Sequence, residues 1–125
     1  MSQDIISDVL NEIMNAKKAR KTEIETSRYS KFLIEILKIA KNHGYLDFKL
    51  DEKSKKLDIK IKKLNECRTI KPRFNVQIED IEKYTKRFLP ARDFGIIIIS
   101  TSKGLMTQAE AYENKIGGSL IAYLY

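Results

Sequence analysis

The sequence predicts an α+β fold, because helical and strand-like hydrophobic patterns alternate along it. In the first half, two stretches with apolar residues at helical spacing are interleaved with three strand-like stretches, in the order helix, strand, helix, strand, strand. The second half is richer in strand signals and ends in a run of β-forming residues. A chain of 125 residues, 42% of them hydrophobic, can bury a stable core as one compact unit or as two small subdomains.

The first element is an amphipathic helix that begins near residue 5. Its apolar stripe consists of Ile5, Ile6, Val9, Leu10, Ile13 and Met14. Asn11 and Asn15 are four residues apart, so they share the polar side of this helix. Two amides in register are candidates for nucleotide recognition, and a plain solvated helix surface is the competing interpretation.

A short edge strand is predicted at Thr22–Thr26, where charged residues alternate with others. Ser30 then caps a second helix over about residues 31–42. Gly44 follows that helix in the position of a C-terminal cap. His43, the single histidine, lies in the last turn, and its position favours helix capping over catalysis.

A hairpin follows the second helix and pairs residues 45–50 with residues 57–62. Its second strand alternates strictly between apolar and charged side chains. The stretch 64–69 is expected to join the two halves of the chain. Between Lys53 and Arg73, nine residues are basic and two are acidic. This local excess favours contact with a polyanion over a merely solvated surface.

Four consecutive isoleucines, Ile96–Ile99, dominate the second half and predict a strand buried on both faces. The run stops at Ser100-Thr101-Ser102-Lys103-Gly104, which offers three hydroxyls, one ammonium group and a glycine. Such groups pair readily with phosphates and with base edges. By its chemistry alone, this segment is equally consistent with an ordinary turn after a strand.

The elements around this strand are shorter. Residues 77–88 carry a weak helical pattern, which we interpret as a loop with one helical turn. Thr107 and Glu110 have the spacing of a capping box and predict the start of a short helix. The paired glycines at 117–118 end that helix, and residues 119–125 form a final strand.

Charge and composition exclude several function classes. The chain has 24 Lys and Arg against 17 Asp and Glu, a net charge of +7, which favours nucleic acid as a partner ahead of an acidic membrane. No apolar run approaches the ~18 residues needed to cross a bilayer. One histidine and one cysteine do not make a usual zinc site, and no Gly-rich phosphate-binding motif is present. We therefore expect no cofactor, no metal and no small-molecule substrate, and we disfavour a nuclease built on Asp58 and Lys60.

Motifs of the second half resemble those of one ribosomal protein family. The matching segments keep the family's order and spacing, and they are Asn65-Glu66-Cys67, Ile70–Phe74, Leu89–Gly95, Ser100–Gly104, and Met106 through Gly117-Gly118 to the final strand. The first half matches less densely, at Leu10-Asn11-x-Ile13-x-Asn15-Ala16, Ser30-Lys31 and Asn42–Tyr45. The chain thus resembles the eighth protein of the small ribosomal subunit, in its archaeal and eukaryotic branch.

This resemblance implies an α+β protein of two small subdomains. Residues 1–65 would form the helix-strand-helix-strand-strand layer, and residues 66–125 a mostly antiparallel β subdomain with a short helix that binds RNA. The implied function is a structural, cytoplasmic component of the small ribosomal subunit that binds the central domain of the small-subunit RNA and helps its assembly. Neighbouring ribosomal proteins are the other implied partners, with no membrane. The alternative is a translational regulator that binds messenger RNA.

The resemblance also assigns roles to residues. Ser100, Thr101 and Ser102 would contact bases and backbone, Lys103 a phosphate, and Gly104 would permit the tight turn and a close approach of the RNA. The complete set of predicted RNA-binding residues is Asn11, Asn15, Lys71, Arg73, Arg92, Ser100, Thr101, Ser102, Lys103, Gly104, Gly117 and Gly118. The family often has a charged residue after the paired glycines, where this chain has Ser119, which puts one contact in doubt.

Overall fold

The computed structural model describes residues 5–71, 73, 75–91 and 94–125. The chain divides into two compact units, Met1–Cys67 and Arg68–Tyr125. The helices are α1 (Ile5–Lys18), α2 (Lys31–Asn42), α3 (Ile81–Phe88) and α4 (Gln108–Glu113), with a 3-10 turn at Ile78–Asp80. The strands are β1 (Glu23–Thr26), β2 (Leu46–Asp51), β3 (Lys56–Ile61), β4 (Cys67–Thr69), β5 (Asn75–Val76), β6 (Ile96–Thr101), β7 (Gly104–Thr107) and β8 (Gly118–Leu124). The predicted α+β class is confirmed.

The first unit contains a three-stranded antiparallel sheet in the order β1-β3-β2. Leu57 and Ile59 of the central strand are fully buried, because β3 turns alternate residues inward as its sequence predicts. The helices add their apolar stripes to this core. Their buried residues are Ile6, Val9, Leu10, Ile13, Met14 and Ala16 on α1 and Leu33, Ile36, Leu37 and Ala40 on α2.

Both ends of α2 are capped as predicted. The Ser30 hydroxyl oxygen accepts a hydrogen bond from the Leu33 backbone N–H at 3.2 Å. At the other end, His43 Nδ1 lies 3.1 Å from the carbonyl oxygen of Ile39. Gly44 follows with a φ of +80°, a backbone conformation that residues other than glycine rarely adopt. The single histidine therefore terminates a helix.

The carboxyl group of Asp47 offers a pH test of the first unit. A hydrogen bond with Lys41, whose Nζ is 3.1 Å away, and the Phe48 backbone N–H together lower the pKa of Asp47 below its usual value. The group therefore stabilises the fold above its unfolded pKa, and this contribution is lost as the pH falls through the lower folded pKa. Lys41→Met is expected to raise the pKa of Asp47 towards its ordinary value in an NMR titration of the side-chain carboxyls.

Asp51 is the internal control for that titration. Its pKa is also lowered, but by hydrogen bonds from the side chain and backbone of Ser54 and from the Lys53 backbone N–H. Lys41→Met should leave the pKa of Asp51 unchanged. Equal shifts of both carboxyls would show that the general charge of the protein, and not the Lys41 contact, sets the pKa of Asp47.

The second unit is organised around β6. The sheet order is β4-β8-β6-β7, with β5 also paired to β8, so that β6 has an antiparallel neighbour on each side. All four residues Ile96–Ile99 are buried, which confirms the strand with two covered faces. On one face Ile97 and Ile99 join a core cluster with Leu120 of β8 and Ile81 of α3.

Four elements of the sheet and its helices differ from the sequence-based expectation. The short strands β4 and β5 were not expected, because the stretch 64–69 was expected only to join the two halves and no strand was expected at Asn75–Val76. Residues 81–88 form two full turns of α-helix, where a loop with one turn was expected. The pattern is weak because a polar residue, Thr85, occupies an inward position, where its hydroxyl donates to the carbonyl oxygen of Ile81 at 2.9 Å. The strand β7 was also missed, because its four residues Gly104–Thr107 are too few to show a period of two.

The short helix α4 begins as predicted and also supports β6. Thr107 and Glu110 form the capping box, each side chain accepting from the other residue's backbone N–H at 3.3 Å. Gln108 then reaches β6: its Oε1 accepts from the Ile97 backbone N–H at 2.8 Å, and its Nε2 donates to the carbonyl oxygen of Gly95 at 3.3 Å. Since the pairing of β7 with β6 ends at Thr107, this amide takes over hydrogen bonds of a missing strand.

Candidate nucleic-acid interface

The hydroxyl-rich segment is a hairpin turn between β6 and β7. Ser100 and Thr101 belong to β6 and Gly104 to β7, so only Ser102 and Lys103 form the turn, and both are exposed. The Thr101 hydroxyl donates to the carbonyl oxygen of Gly104 at 2.8 Å and accepts from the Lys103 backbone N–H at 3.1 Å. Its donor is thus engaged within the turn, and the tip presents one hydroxyl and one ammonium group.

Gly104 is required for its backbone conformation. Its φ is +110°, where L residues with a side chain are strained. Apart from Gly104 itself and its two chain neighbours, no heavy atom would lie within 4 Å of a Cβ built on it, so the space beside it is open. The glycine therefore permits the turn, and it leaves room for an approaching ligand.

Strand pairing extends the site beyond the turn. Ser100 lies opposite Ser119 of β8, and Ser119 lies opposite Asn75 of β5. Directly paired residues of antiparallel strands point to the same side of the sheet. Ser100, Ser119 and Asn75 therefore form a polar row across three strands. Sequence reasoning missed Asn75 and doubted Ser119, because only the strand register, and no residue motif, brings them beside Ser100.

The paired glycines lie against the strands that carry this row. A Cβ on Gly118 would be 2.3 Å from the Ser100 carbonyl oxygen, and a Cβ on Gly117 would be 2.3 Å from the Val76 carbonyl oxygen. Either distance is far below ordinary van der Waals contact. Both glycines therefore let neighbouring backbone come close, and Gly118 sets the distance between β8 and Ser100.

The remaining predicted residues are more scattered. Lys71 and Arg73 are exposed in the second unit, and Arg73 precedes Asn75 by two residues. Arg92 lies outside the described residues. Asn11 and Asn15 are exposed on α1 in the first unit. The second unit therefore brings Ser100 to Gly104 together with Gly118, and Asn11 and Asn15 lie on α1 of the first unit.

Asn15 lines a shallow cavity of about 440 Å³ in the first unit, together with Ala19 and Lys21. Three carboxylates, those of Glu12, Glu23 and Glu25, line the same cavity. These carboxylates would repel a polyanion. The lysine and the amide are thus the only lining side chains suited to RNA in this cavity, as far as the described residues extend.

The basic excess between Lys53 and Arg73 is partly matched in the fold. Lys56 Nζ lies 3.3 Å from a carboxylate oxygen of Glu25, and Lys60 Nζ lies 3.6 Å from one of Glu23. Both acids belong to β1, some thirty residues earlier in the chain. The count of charges along the sequence therefore overstates the positive charge of this sheet, because its neutralising partners come from another strand.

The family described as Ribosomal protein S8 matches residues 4–125 of the chain. Small ribosomal subunit protein uS8 of Nanoarchaeum equitans is 44% identical, and the match covers 100% of both chains. The protein of the same name from Thermoplasma acidophilum is 41% identical over 100% of both chains, and that of Kluyveromyces marxianus is 38% identical over 97% of this chain and 96% of its own. Within the described residues, no helix has the length and apolar character to cross a membrane.

Proposed function

The chain belongs to the ribosomal protein S8 family, and from this premise we propose that it binds the small-subunit ribosomal RNA directly. Members of the family are structural components of the small ribosomal subunit. The RNA segment we propose is the central domain of the small-subunit RNA, bound during assembly in the cytoplasm. The role is binding without catalysis, and the other partners are neighbouring ribosomal proteins.

The observation that supports this proposal most strongly is the geometry of the β6–β7 turn. The strand β6, whose residues Ile96–Ile99 are buried, leads into the exposed turn residues Ser102 and Lys103, and open space lies beside Gly104. Double-stranded RNA hides its major groove, so a protein reads sequence mainly at irregular loops, with small polar groups. A hydroxyl can donate to or accept from a base edge, and the ammonium group of Lys103 can neutralise a phosphate.

We assign different tasks to the two parts of the chain. Residues 66–125 carry the turn and the polar row, and in this proposal they select the RNA site. Residues 1–65 add a second contact through Asn11 and Asn15, beside the basic end of α1 at Lys17 and Lys18. Base discrimination then comes from small hydroxyl and amide groups, and salt-dependent affinity from lysine and arginine.

Ser102→Ala is expected to weaken binding to a ribosomal RNA hairpin with an internal loop by about 1–3 kcal/mol, because it leaves a base or backbone group of the RNA without its partner. Filter-binding titrations measure the affinity for this hairpin and, as a reference RNA, for a fully paired hairpin of equal length. Ser27→Ala, an exposed position between β1 and α2 of the first unit, is the matched control and should bind as tightly as the unmodified protein. If Ser102→Ala binds the internal-loop hairpin as tightly as the unmodified protein does, then Ser102 is not part of the site.

Co-sedimentation separates the proposed role from regulation of messenger RNA. A structural component of the subunit should be recovered with small subunits after a high-salt wash. A regulator of messenger RNA should be released from them under the same conditions.

A further inference from the structure

Five aromatic side chains of the second unit form a continuous row, which we call the aromatic row. It comprises Tyr84 and Phe88 of α3, Tyr123 of β8, Tyr125 after β8, and Phe94 just before β6. Successive ring centroids are 6.5, 5.5, 6.1 and 6.2 Å apart in the order Tyr84, Phe88, Tyr123, Tyr125, Phe94. Spacings in this range are those of interacting aromatic rings.

The far end of the aromatic row is open. The first three ring pairs are nearly parallel, with interplanar angles of 18°, 26° and 10°, whereas Phe94 is tilted by 51° against Tyr125. The side chain of Phe94 is 48% exposed. An exposed phenyl ring at the end of a stack has surface available to another flat apolar group.

Positive charge lines the other end of the row. Lys83 Nζ lies 5.7 Å from the ring centroid of Tyr84, and Arg87 Cζ lies 5.7 Å from that of Phe88. Lys86 is a third exposed cation on the same helix. The combination of flat apolar rings with cations is the one that binds single-stranded nucleic acid, with the bases stacked and the phosphates neutralised.

The aromatic row lies away from the hydroxyl turn. Phe94 lies before the start of β6, and the turn lies after its end. The six residues of β6 separate the two by about 20 Å, at ~3.3 Å per strand residue. Gly95 makes the arrangement possible, because its φ is +103° and a Cβ there would be 2.8 Å from the Cβ of Tyr125. A different residue at 95 would push Tyr125 away from Phe94.

We propose that the aromatic row is a second RNA-binding surface. An unpaired base of a single-stranded segment stacks against Phe94 at one end of the row, and Lys83 and Arg87 at the other end neutralise phosphates further along the same segment. This inference rests on the proposed function only for the class of ligand, which is RNA. The chemistry differs from that of the turn. Stacking tolerates any base, so this surface anchors a strand without reading its sequence.

The charge of α3 favours RNA over a basic protein segment as the occupant. The exposed residues of α3 are Glu82, Lys83, Lys86 and Arg87, and we call them the rim of the aromatic row. The rim carries an excess of positive charge, in a chain of net charge +7. A basic protein segment would be repelled by this rim. A single-stranded RNA segment supplies both a flat base for Phe94 and, some nucleotides away, the negative charge for the α3 cations.

The test uses fluorescein-labelled oligouridine of about ten nucleotides, which is too short and uniform to form a hairpin, with anisotropy at low salt as the readout. The unmodified protein should bind this RNA, and Phe94→Leu, which keeps an apolar side chain without a ring, should bind about tenfold more weakly. Phe94→Tyr should retain the affinity. Arg87→Gln should reduce the slope of log K against log salt by roughly 0.7.

Tyr112→Leu is the matched control, because Tyr112 is the other exposed large aromatic residue of the described chain, 61% exposed on α4 and outside the row. It should bind oligouridine normally. Ultraviolet crosslinking followed by mass spectrometry should place uridine on the peptide that contains Phe94. This second readout does not depend on whether Phe94→Leu folds.

Three results would overturn the proposal. In the first, Phe94→Leu binds oligouridine as tightly as the unmodified protein. In the second, crosslinks to uridine are confined to peptides without Phe94. In the third, the unmodified protein does not bind oligouridine but binds a soluble peptide of alternating Glu and Phe. The last result would make the row a protein-docking surface. Ser102→Ala keeps the two RNA proposals distinct, because it should weaken binding to the internal-loop hairpin and leave oligouridine binding unchanged.

Discussion

Replacing Gly118 with alanine is expected to destabilise the second unit by about 2–3 kcal/mol, since an added methyl group meets backbone that has nowhere to move. The new Cβ would lie 2.3 Å from the carbonyl oxygen of Ser100 and 3.0 Å from the Ile99 side chain. Relief of this clash requires β8 to separate from β6 at the point where β6 enters the turn. We therefore also expect affinity for the internal-loop hairpin to fall by more than Ser102→Ala alone causes.

Chemical denaturation and filter binding measure the two effects of Gly118→Ala. Gly44→Ala is the matched control in the first unit, because Gly44 has a positive φ of +80° but a built Cβ would meet no atom within 4 Å beyond its chain neighbours. It should lose about 1 kcal/mol of stability through backbone strain and bind the hairpin normally. If Gly118→Ala retains both its stability and its hairpin affinity, then Gly118 does not set the position of Ser100.

Ile98→Ala is expected to cost about 2–5 kcal/mol of unfolding free energy, the range for removing a buried aliphatic side chain and leaving a cavity. Ile98 is fully buried on the central strand, paired with Thr107 on one side and Ala122 on the other. A loss near 3 kcal/mol would lower the thermal midpoint by roughly 10–15 °C in a chain of this size. Differential scanning calorimetry gives both quantities.

Two comparison variants sharpen the result for Ile98. Ile98→Val removes one methyl group and should cost about 0.5–1.5 kcal/mol. Ile24→Ala lies on the edge strand β1, where the isoleucine is half-buried, so its loss should be smaller than that of Ile98→Ala. Equal losses for Ile24→Ala and Ile98→Ala would mean that the central position of β6 brings no special stability.

Local patterns of the sequence were sufficient for much of the fold. The apolar stripe of α1, the Ser30 cap of α2 and the capping box at Thr107 each involve residues within a few positions of one another. The run Ile96–Ile99 is long enough and apolar enough to predict a buried strand without a partner in view. The resemblance to the family, based on motifs along the whole chain, is also confirmed.

Contacts between residues far apart in the chain could not be predicted from the sequence. Asn75 and Ser119 come beside Ser100 only through the register of β5, β8 and β6. The acids that meet Lys56 and Lys60 likewise come from a distant strand, so the sequence showed the cations without their partners. In both cases tertiary structure, and not local propensity, decides the environment of the side chain. The RNA-binding role of the individual residues stays a prediction.

The hydrogen bonds of Thr101 have a consequence for the cost of recognition. Its side chain closes the turn through the Gly104 carbonyl and the Lys103 N–H before any ligand arrives. A flexible loop would lose conformational entropy when it settles on RNA, at about 1–2 kcal/mol for each backbone residue that becomes ordered. Here folding has already ordered the turn, so in the proposed complex with RNA more of its contact energy would remain as affinity. Thr101 can thus strengthen binding without touching the RNA.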